Sequence, residues 1–453
     1  MHQIALGVTL LFLALLVAMV AALAFEEKLH ARKSLITGTA AVIAVFLAEV
    51  FHVLPIGPVV NVFKEKLHIP VYIAGIEWEV IAIIVGSSLF VDVASRSGLF
   101  TWIAIKLTKR SGGDPRMLLY FYSLLTILFS AFLNNVTAMV IVGSLTAVSL
   151  ERLNRKSLLL AFLLVEGFLT NVGGLLTLIS SVPNIIVGQA AGITFLQFML
   201  KSTPYVLLAA VATVLLAQMR YSIPSLQSDE ERALAKQRVS AFDENDGIHS
   251  PRFFYTSGIM AVLLILLFAT TSYLPYLRDL GLGFVALSFG ILMLWAFKHE
   301  VGKFYSGLDW DLVWFFMTLF VVINVMEHAE VLSLIGSAIG GIIDLGDVIG
   351  SAGLLWCSAA ASSVTDNIPL AAVLAKVLKA KETLPDSSLW WSVIFGSNLG
   401  GNLTPIGSAS TVVAVTIMHK HEIRMSFIGF IRAALPFALL QIILATAYLL
   451  LFL

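Results

Sequence analysis

Two stretches of this chain place Asn, Ser, Thr, Gly and Pro inside apolar surroundings, and both follow one plan. The first holds Ser130-Ala131-Phe132-Leu133-Asn134-Asn135-Val136-Thr137, then Thr170-Asn171-Val172-Gly173-Gly174-Leu175-Leu176-Thr177 and Val182-Pro183-Asn184. The second holds Ser362-Ser363-Val364-Thr365-Asp366-Asn367-Ile368-Pro369, then Ser397-Asn398-Leu399-Gly400-Gly401-Asn402-Leu403-Thr404 and Ser408. Asn135 aligns with Asn367, and Asn171-Val172-Gly173-Gly174 with Asn398-Leu399-Gly400-Gly401, at nearly equal spacing. Glycine lets a chain leave a helix at low steric cost and lets backbone approach an ion. Asn, Ser and Thr cap the half-helices that result and offer oxygen ligands. The N–H groups at a half-helix start suit an anion, whereas unwound carbonyls and Asn or Thr oxygens suit Na⁺. The residues therefore support an anion site, a sodium site, or both side by side.

The candidate substrate- or ion-binding residues are Asn134, Asn135, Thr137, Asn171, Gly173, Gly174, Thr177 and Asn184 in the first copy. In the second they are Thr365, Asp366, Asn367, Ser397, Asn398, Gly400, Gly401, Thr404 and Ser408. Small residues also serve ordinary helix packing in membranes, but duplication at matched spacing favours a site. Two carboxylates are candidates for coupling: Asp366, where the first copy has Asn134, and Glu166, one turn before Thr170. A charge at membrane depth is costly and usually functional, although Asp366 could simply cap a half-helix and Glu166 could be a protonated packing residue. Asp92 and Arg96, four residues apart, read as a local pair. There is no HExxH, Walker loop, GxSxG or paired Cys, so no enzyme class has its signature and no catalytic residue or cofactor is expected beyond Na⁺ as a coupling ion. His299, His419 and His421 read as solvated loop residues.

The elements that must position these residues are helices in a bilayer. The chain has 453 residues, 59% hydrophobic and 12% charged, with a formal net charge of zero. Soluble domains carry about a quarter charged residues, and nucleic-acid binding needs a basic surface. Cys357 is the single cysteine, so no intrachain disulfide framework exists. The apolar runs predict ten helical spans, at 4–25, 35–53, 79–105, 158–192, 203–219, 254–274, 283–297, 312–327, 389–418 and 426–452. Residues 4–25 read as the first span, lacking the basic start of a signal peptide.

Lys and Arg mark cytoplasmic loops. Lys28, Arg32 and Lys33, then Lys106, Lys109, Arg110 and Arg116, then Arg152, Arg155 and Lys156, all read as cytoplasmic. The block at 117–150 therefore enters and leaves on one face as a re-entrant hairpin. The expected fold is an all-α polytopic membrane protein of two inverted-topology repeats, each with five transmembrane helices, one of them interrupted, and one re-entrant hairpin. Residues 1–219 form the first repeat (hairpin 117–150, interrupted helix 158–192), 220–252 a cytoplasmic linker, and 253–453 the second repeat (hairpin 349–378, interrupted helix 389–418). Both termini fall on the non-cytoplasmic side of a plasma membrane. Lys376, Lys379 and Lys381 run against this assignment, and residues 331–345 read as an amphipathic surface helix.

These motifs resemble the ion transporter superfamily of arsenite permeases, NhaD-type sodium/proton antiporters, citrate and dicarboxylate carriers and the melanosomal P protein, the P protein branch most closely. The resemblance rests on Ser130 to Thr137, Thr170-Asn171-Val172-Gly173-Gly174, Pro183-Asn184 and Asp366-Asn367-Ile368-Pro369. It implies a homodimer with a scaffold and a mobile transport domain in elevator-like alternation, and ion binding at Asn135, Thr137, Asn171, Asn367 and Asn398. Na⁺ would sit at Asn135, Asn171, Asn367 and Asn398. The chain departs from that pattern where Asn134-Asn135 replaces Asp-Asn and Ser180-Ser181 replaces Gly-Asp, losing a carboxylate each time. The expected function is secondary active transport of a small anion or oxyacid coupled to Na⁺ or H⁺. The alternatives are a Na⁺/H⁺ antiporter using Asp366, or a passive anion channel.

Overall fold

The computed structural model describes residues 4–55, 57–60, 64–248, 250–296, 298 and 301–453; His299 lies outside them. Among the described residues the regular structure is helical, apart from a two-residue strand pairing of Val59–Val60 with Lys66–Leu67. The first half contains α1 (Leu6–Ala24), α2 (Glu26–Leu29), α3 (Lys33–Val50), α4 (Val71–Ala74), α5 (Trp78–Ser95) and α6 (Leu99–Arg110). It continues with α7 (Pro115–Phe132), α8 (Asn135–Arg152), α9 (Leu159–Gly173), α10 (Val182–Ala191) and α11 (Phe195–Tyr221). After α12 (Asp229–Ser240), the second half contains α13 (Pro251–Thr270), α14 (Leu277–Ala296), α15 (Val301–Gly307), α16 (Trp310–His328) and α17 (Val331–Ile343). Then come α18 (Asp347–Ser362), α19 (Asn367–Ala380), α20 (Ser388–Gly400), α21 (Ala409–Lys420) and α22 (Phe427–Phe452).

Among the described residues, ten helices are long and apolar enough to cross a membrane. They differ from the sequence expectation in instructive ways. The span at 79–105 is two helices: α5 ends at Ser95, and Gly98, in a left-handed conformation (φ 80°), redirects the chain into α6. Its Cβ would also meet the Gly247 carbonyl oxygen at 2.3 Å, so both backbone and space require glycine. The segment at 331–345 is the helix α17, which follows α16 after a left-handed Glu330 (φ 60°) as α6 follows α5. The stretches 158–192 and 389–418 are each broken in the middle, at residues 174–181 and 401–408.

The interruptions explain which helices lie innermost. A helix apolar all round is buried on all sides, and every residue of α9 from Ala161 to Gly173 is buried, as is every residue of α20 from Trp390 to Gly400. By contrast α13 turns Tyr255, Ile259, Val262 and Leu266 outward, the lipid-facing pattern of a peripheral span. Close packing of the inner helices rests on glycine. At Gly173 a Cβ would lie 2.8 Å from the Ile127 Cα on α7, and at Gly400 2.2 Å from the Ala359 oxygen on α18. Gly86 on α5 and Gly290 on α14 make the same kind of close crossing between those two helices.

The packing partners run in matched sets. Helix α3 packs on α16 and α5 on α14; α7 packs on α9 and α18 on α20; α8 packs on α21 and α10 on α19; α11 packs on α22. The polar linker is fastened to the first half. Asp114 caps α7 through the Arg116 and Met117 N–H groups (2.9 and 3.0 Å) and also accepts from Leu226 N–H (2.8 Å) and Ser225 Oγ (2.6 Å). Arg238 donates to the Leu153 carbonyl (3.1 Å), and Glu244 pairs with Lys109 and Lys106. The Lys109 ammonium, donating to it, holds the Glu244 carboxyl down to about 2, so this contact stays charged through the physiological range.

Candidate substrate and ion site

Each hairpin turns at a capping residue. Asn134 ends the break after α7, and its Oδ1 accepts the Thr137 N–H (2.8 Å) to start α8. Asp366 does the same for α19, its Oδ1 accepting the Ile368 N–H (3.0 Å). The same short bonds pin each hairpin to its interrupted helix. Ser130 Oγ donates to the Thr170 carbonyl (2.5 Å) and Ser362 Oγ to the Ser397 carbonyl (2.6 Å). Thr177 donates to the Ala131 carbonyl and Thr404 to the Ser363 carbonyl, both at 2.6 Å.

The interrupted helices meet through their asparagines. Asn171 Nδ2 donates to Ser408 Oγ (2.9 Å) at the start of α21, and Ser181 Oγ at the start of α10 donates to Asn398 Oδ1 (2.8 Å). With the Gly-Gly pairs aligned, Asn171 stands opposite Asn398 and Ser181 opposite Ser408, so each asparagine is bonded to the other stretch's serine. Asn398 Nδ2 also donates to Asn184 Oδ1 (2.9 Å), and Asn184 Nδ2 donates to the freed Gly174 and Thr177 carbonyls (2.7 and 3.1 Å). Asn135 Nδ2 donates to Asn171 Oδ1 (3.2 Å) and its own Oδ1 accepts from Ser130 (2.9 Å). Such buried networks are rigid when every member is satisfied.

The remaining expected residues divide clearly. Gly173 and Gly400 serve the helix crossings described above, Gly174 lies against Asn135, and Gly401 against Ser408. Thr365 and Ser397 bond carbonyls of their own helical turns, Ala361 (2.8 Å) and Val393 (2.7 Å). Asn367, half-buried, forms no side-chain hydrogen bond among the described residues, unlike its counterpart Asn135. Glu166 is fully buried; Oε1 accepts from Thr146 (2.5 Å), and Oε2 has no partner among the described residues. Asp92 pairs with Arg96 at 3.7 Å.

Two groups of residues escaped sequence reasoning. A buried amide relay continues from Asn171 to Asn402 (2.7 Å), from Asn402 to Gln441 (2.7 Å), and from Gln441 to Thr213 (2.9 Å). The signals for it are Asn402, directly after the second Gly-Gly pair, and Gln441, a lone amide within Phe437-Ala438-Leu439-Leu440-Gln441-Ile442-Ile443-Leu444. The second is Lys33, whose ammonium pairs with Asp366 Oδ2.

A cavity of about 950 Å³ reaches this region. Its inner wall is Asn134 and Thr137 at the start of α8, Ser180 and Val182 at the start of α10, and Ala409 at the start of α21. Its lining also includes Glu26, His30, Arg32 and Lys33 before and at the start of α3, and the carboxylates Asp92, Asp309 and Asp311.

With this geometry in hand, comparison with known proteins is decisive on class. Residues 14–393 match the family model described as Citrate transporter (CitMHS). The chain belongs to the citrate transporter family. It is 30% identical over 381 residues to an uncharacterized transporter of Mycobacterium tuberculosis, covering 83% of this chain and 86% of that protein. It is 26% identical over 450 residues to the P protein of Mus musculus, covering 83% of this chain and 54% of that one. In fold it is similar to the Alcanivorax borkumensis YdaH transporter (TM-score 0.63, 13% identity, 92% of this chain and 97% of that one). Neisseria gonorrhoeae MtrF, of a class of antimetabolite efflux pumps, is similar in fold with a TM-score of 0.60 at 15% identity, over 93% of this chain and 95% of that one. The protein is thus an integral membrane transporter of an ion or small molecule and not an enzyme.

Proposed function

We propose that this chain carries a small carboxylate or other oxyanion across the plasma membrane by secondary active transport coupled to Na⁺ or H⁺. The observation that carries this reading is that the N-terminal ends of α8, α10 and α21 all line one cavity. Each such end carries positive partial charge, and the first-turn N–H groups not taken by its cap can face a ligand, which favours an anion. The family's description makes citrate the first probe. Candidate coupling groups are the Asp366 and Glu166 carboxylates, with Na⁺ oxygen ligands drawn from Asn135, Asn171, Asn367 and Asn398.

The reading includes two inverted repeats with re-entrant hairpins α7–α8 and α18–α19. Its support is the reciprocal packing, α3 on α16 with α5 on α14 and α8 on α21 with α10 on α19, together with the exchanged Asn–Ser bonds. A two-fold axis relating the halves produces such exchanges. The lysine exception has a local reason: Lys376 lies 3.5 Å from Glu77 and 3.2 Å from Glu327, so it is already neutralised on the face where α5 begins and α16 ends. Termini on the non-cytoplasmic side follow from the same orientation. Helices α1, α3, α5, α14 and α16 pack mainly among themselves, as do α7–α11 with α18–α22, a division suited to a scaffold and a moving body in an elevator-like homodimer.

The reading is tested with purified protein in liposomes, preloaded and given an inward Na⁺ or proton gradient. Labelled citrate is expected to accumulate several-fold above equilibrium and to leak away when an ionophore collapses the gradient. Flux that never exceeds equilibration makes the protein a channel, and cation exchange without anion uptake makes it an antiporter.

A further inference from the structure

The two hairpin tips differ in charge and in what holds them. At the first tip Asn134 is exposed and uncharged. At the second, Asp366 commits Oδ1 to the Ile368 N–H (3.0 Å) and Oδ2 to the ammonium of Lys33, which starts α3. The Asp366 side chain is 9% exposed and that of Lys33 34%. Lys33 lines the cavity, whereas Asp366 does not. The other acids facing Lys33 are Glu26 at 4.0 Å and Asp311, itself bonded to Ser34. Beside Asp366, Asn367 supplies an uncommitted amide.

A largely buried carboxylate is not left without a counter-charge. The ammonium can therefore leave Oδ2 only when another cation replaces it or a proton neutralises Asp366. We propose that Lys33 is a tethered competitor for the coupling cation. Na⁺ or H⁺ takes its place at Asp366, and the released ammonium turns into the cavity to hold a carboxylate of the substrate anion. Charge balances at each site: one monocation replaces another at Asp366, and the freed ammonium meets a negative charge in the cavity. Cation and anion binding are thereby linked through one side chain, an exchange that makes each favour the other. The inference rests on the transporter reading above.

Lys33→Met removes the ammonium and keeps the apolar stem. In the purified full-length protein, thermal stabilisation is measured against NaCl with choline chloride as control, against pH, and against citrate. The Na⁺ or proton concentration for half-maximal stabilisation is expected to fall roughly fivefold or more, and that for citrate to rise by a similar factor. Lys33→Arg, which keeps the charge, is expected to return both midpoints toward those of the unmodified protein. Unchanged midpoints, shifts in the same direction, or no cation response in the unmodified protein overturn the proposal. If Lys33→Met does not yield folded protein, Asp366→Asn, which keeps the cap and releases Lys33, is expected to lose the cation response and bind citrate more tightly; a retained cation response overturns the proposal. The cation arm needs no transport, so failure of concentrative citrate uptake sinks the transporter reading on its own.

Discussion

Asn398→Ala is expected to lower the initial rate of citrate uptake at least about tenfold while the protein still reaches the membrane. Asn398 is buried at 1% exposure and ties two helices together: it bonds its own helix through the Ile394 carbonyl (2.8 Å) and α10 twice, through Asn184 (2.9 Å) and the N-cap Ser181 (2.8 Å). Truncation leaves the Ser181 hydroxyl without its acceptor and Asn184 Oδ1 without its donor. Each stranded buried group costs about 1–3 kcal/mol, and each 1.4 kcal/mol is about tenfold if it falls on the transport-competent arrangement. Interhelical hydrogen bonds in membranes average only about 0.6 kcal/mol in stability, which is why the fold should survive. Asn171→Ala, which breaks the bonds to Ser408 and Asn402, should behave alike. Near-normal uptake in both variants, normalised to reconstituted protein, would remove these asparagines from the site.

Gly400→Ala should act on folding instead. A methyl there would lie 2.2 Å from the Ala359 carbonyl oxygen and 2.8 Å from Ser362 Cβ, and a helix backbone cannot withdraw as a flexible side chain can. Overpacking in a well-filled core costs about 1–3 kcal/mol, and here the obstacle is main chain between two buried helices. Detergent-solubilised Gly400→Ala is expected to lose most of its monodisperse peak in size-exclusion chromatography, whereas Gly341→Ala, with nothing within 4 Å of the added carbon, should match the unmodified protein. A stable, monodisperse Gly400→Ala would mean that α18 and α20 do not cross this closely.

The contrast between these two residues marks what could be read from sequence. Gly400 and Asn398 stood out together because polar and glycine letters are conspicuous inside apolar runs, and composition alone gave the helical membrane class. Their structural roles are not separable there: letter and spacing are alike for both, whereas Gly400 sits at a backbone crossing and Asn398 at the centre of a network. Lys33 was visible only as a charge near a helix start, because its partner Asp366 is 333 residues away in sequence. The common geometry of α6 and α17, each starting after a left-handed residue, was hidden for a different reason, since one follows a glycine, Gly98, and the other a glutamate, Glu330. Turn chemistry does not announce a break at Glu as it does at Gly.

The central claim, that a small anion binds where the starts of α8, α10 and α21 line one cavity, is tested most directly by cysteine protection. Thr137 lines that cavity and its side chain is free of hydrogen bonds among the described residues. In a Cys357→Ser background, Thr137→Cys is alkylated with a maleimide in reconstituted, transport-active protein, with exposed Glu230→Cys as control. Citrate is expected to slow alkylation at position 137, with half-protection near the concentration that half-saturates uptake, and to leave position 230 unchanged. Equal alkylation at position 137 with and without saturating citrate, in a variant that still transports it, would contradict the assignment.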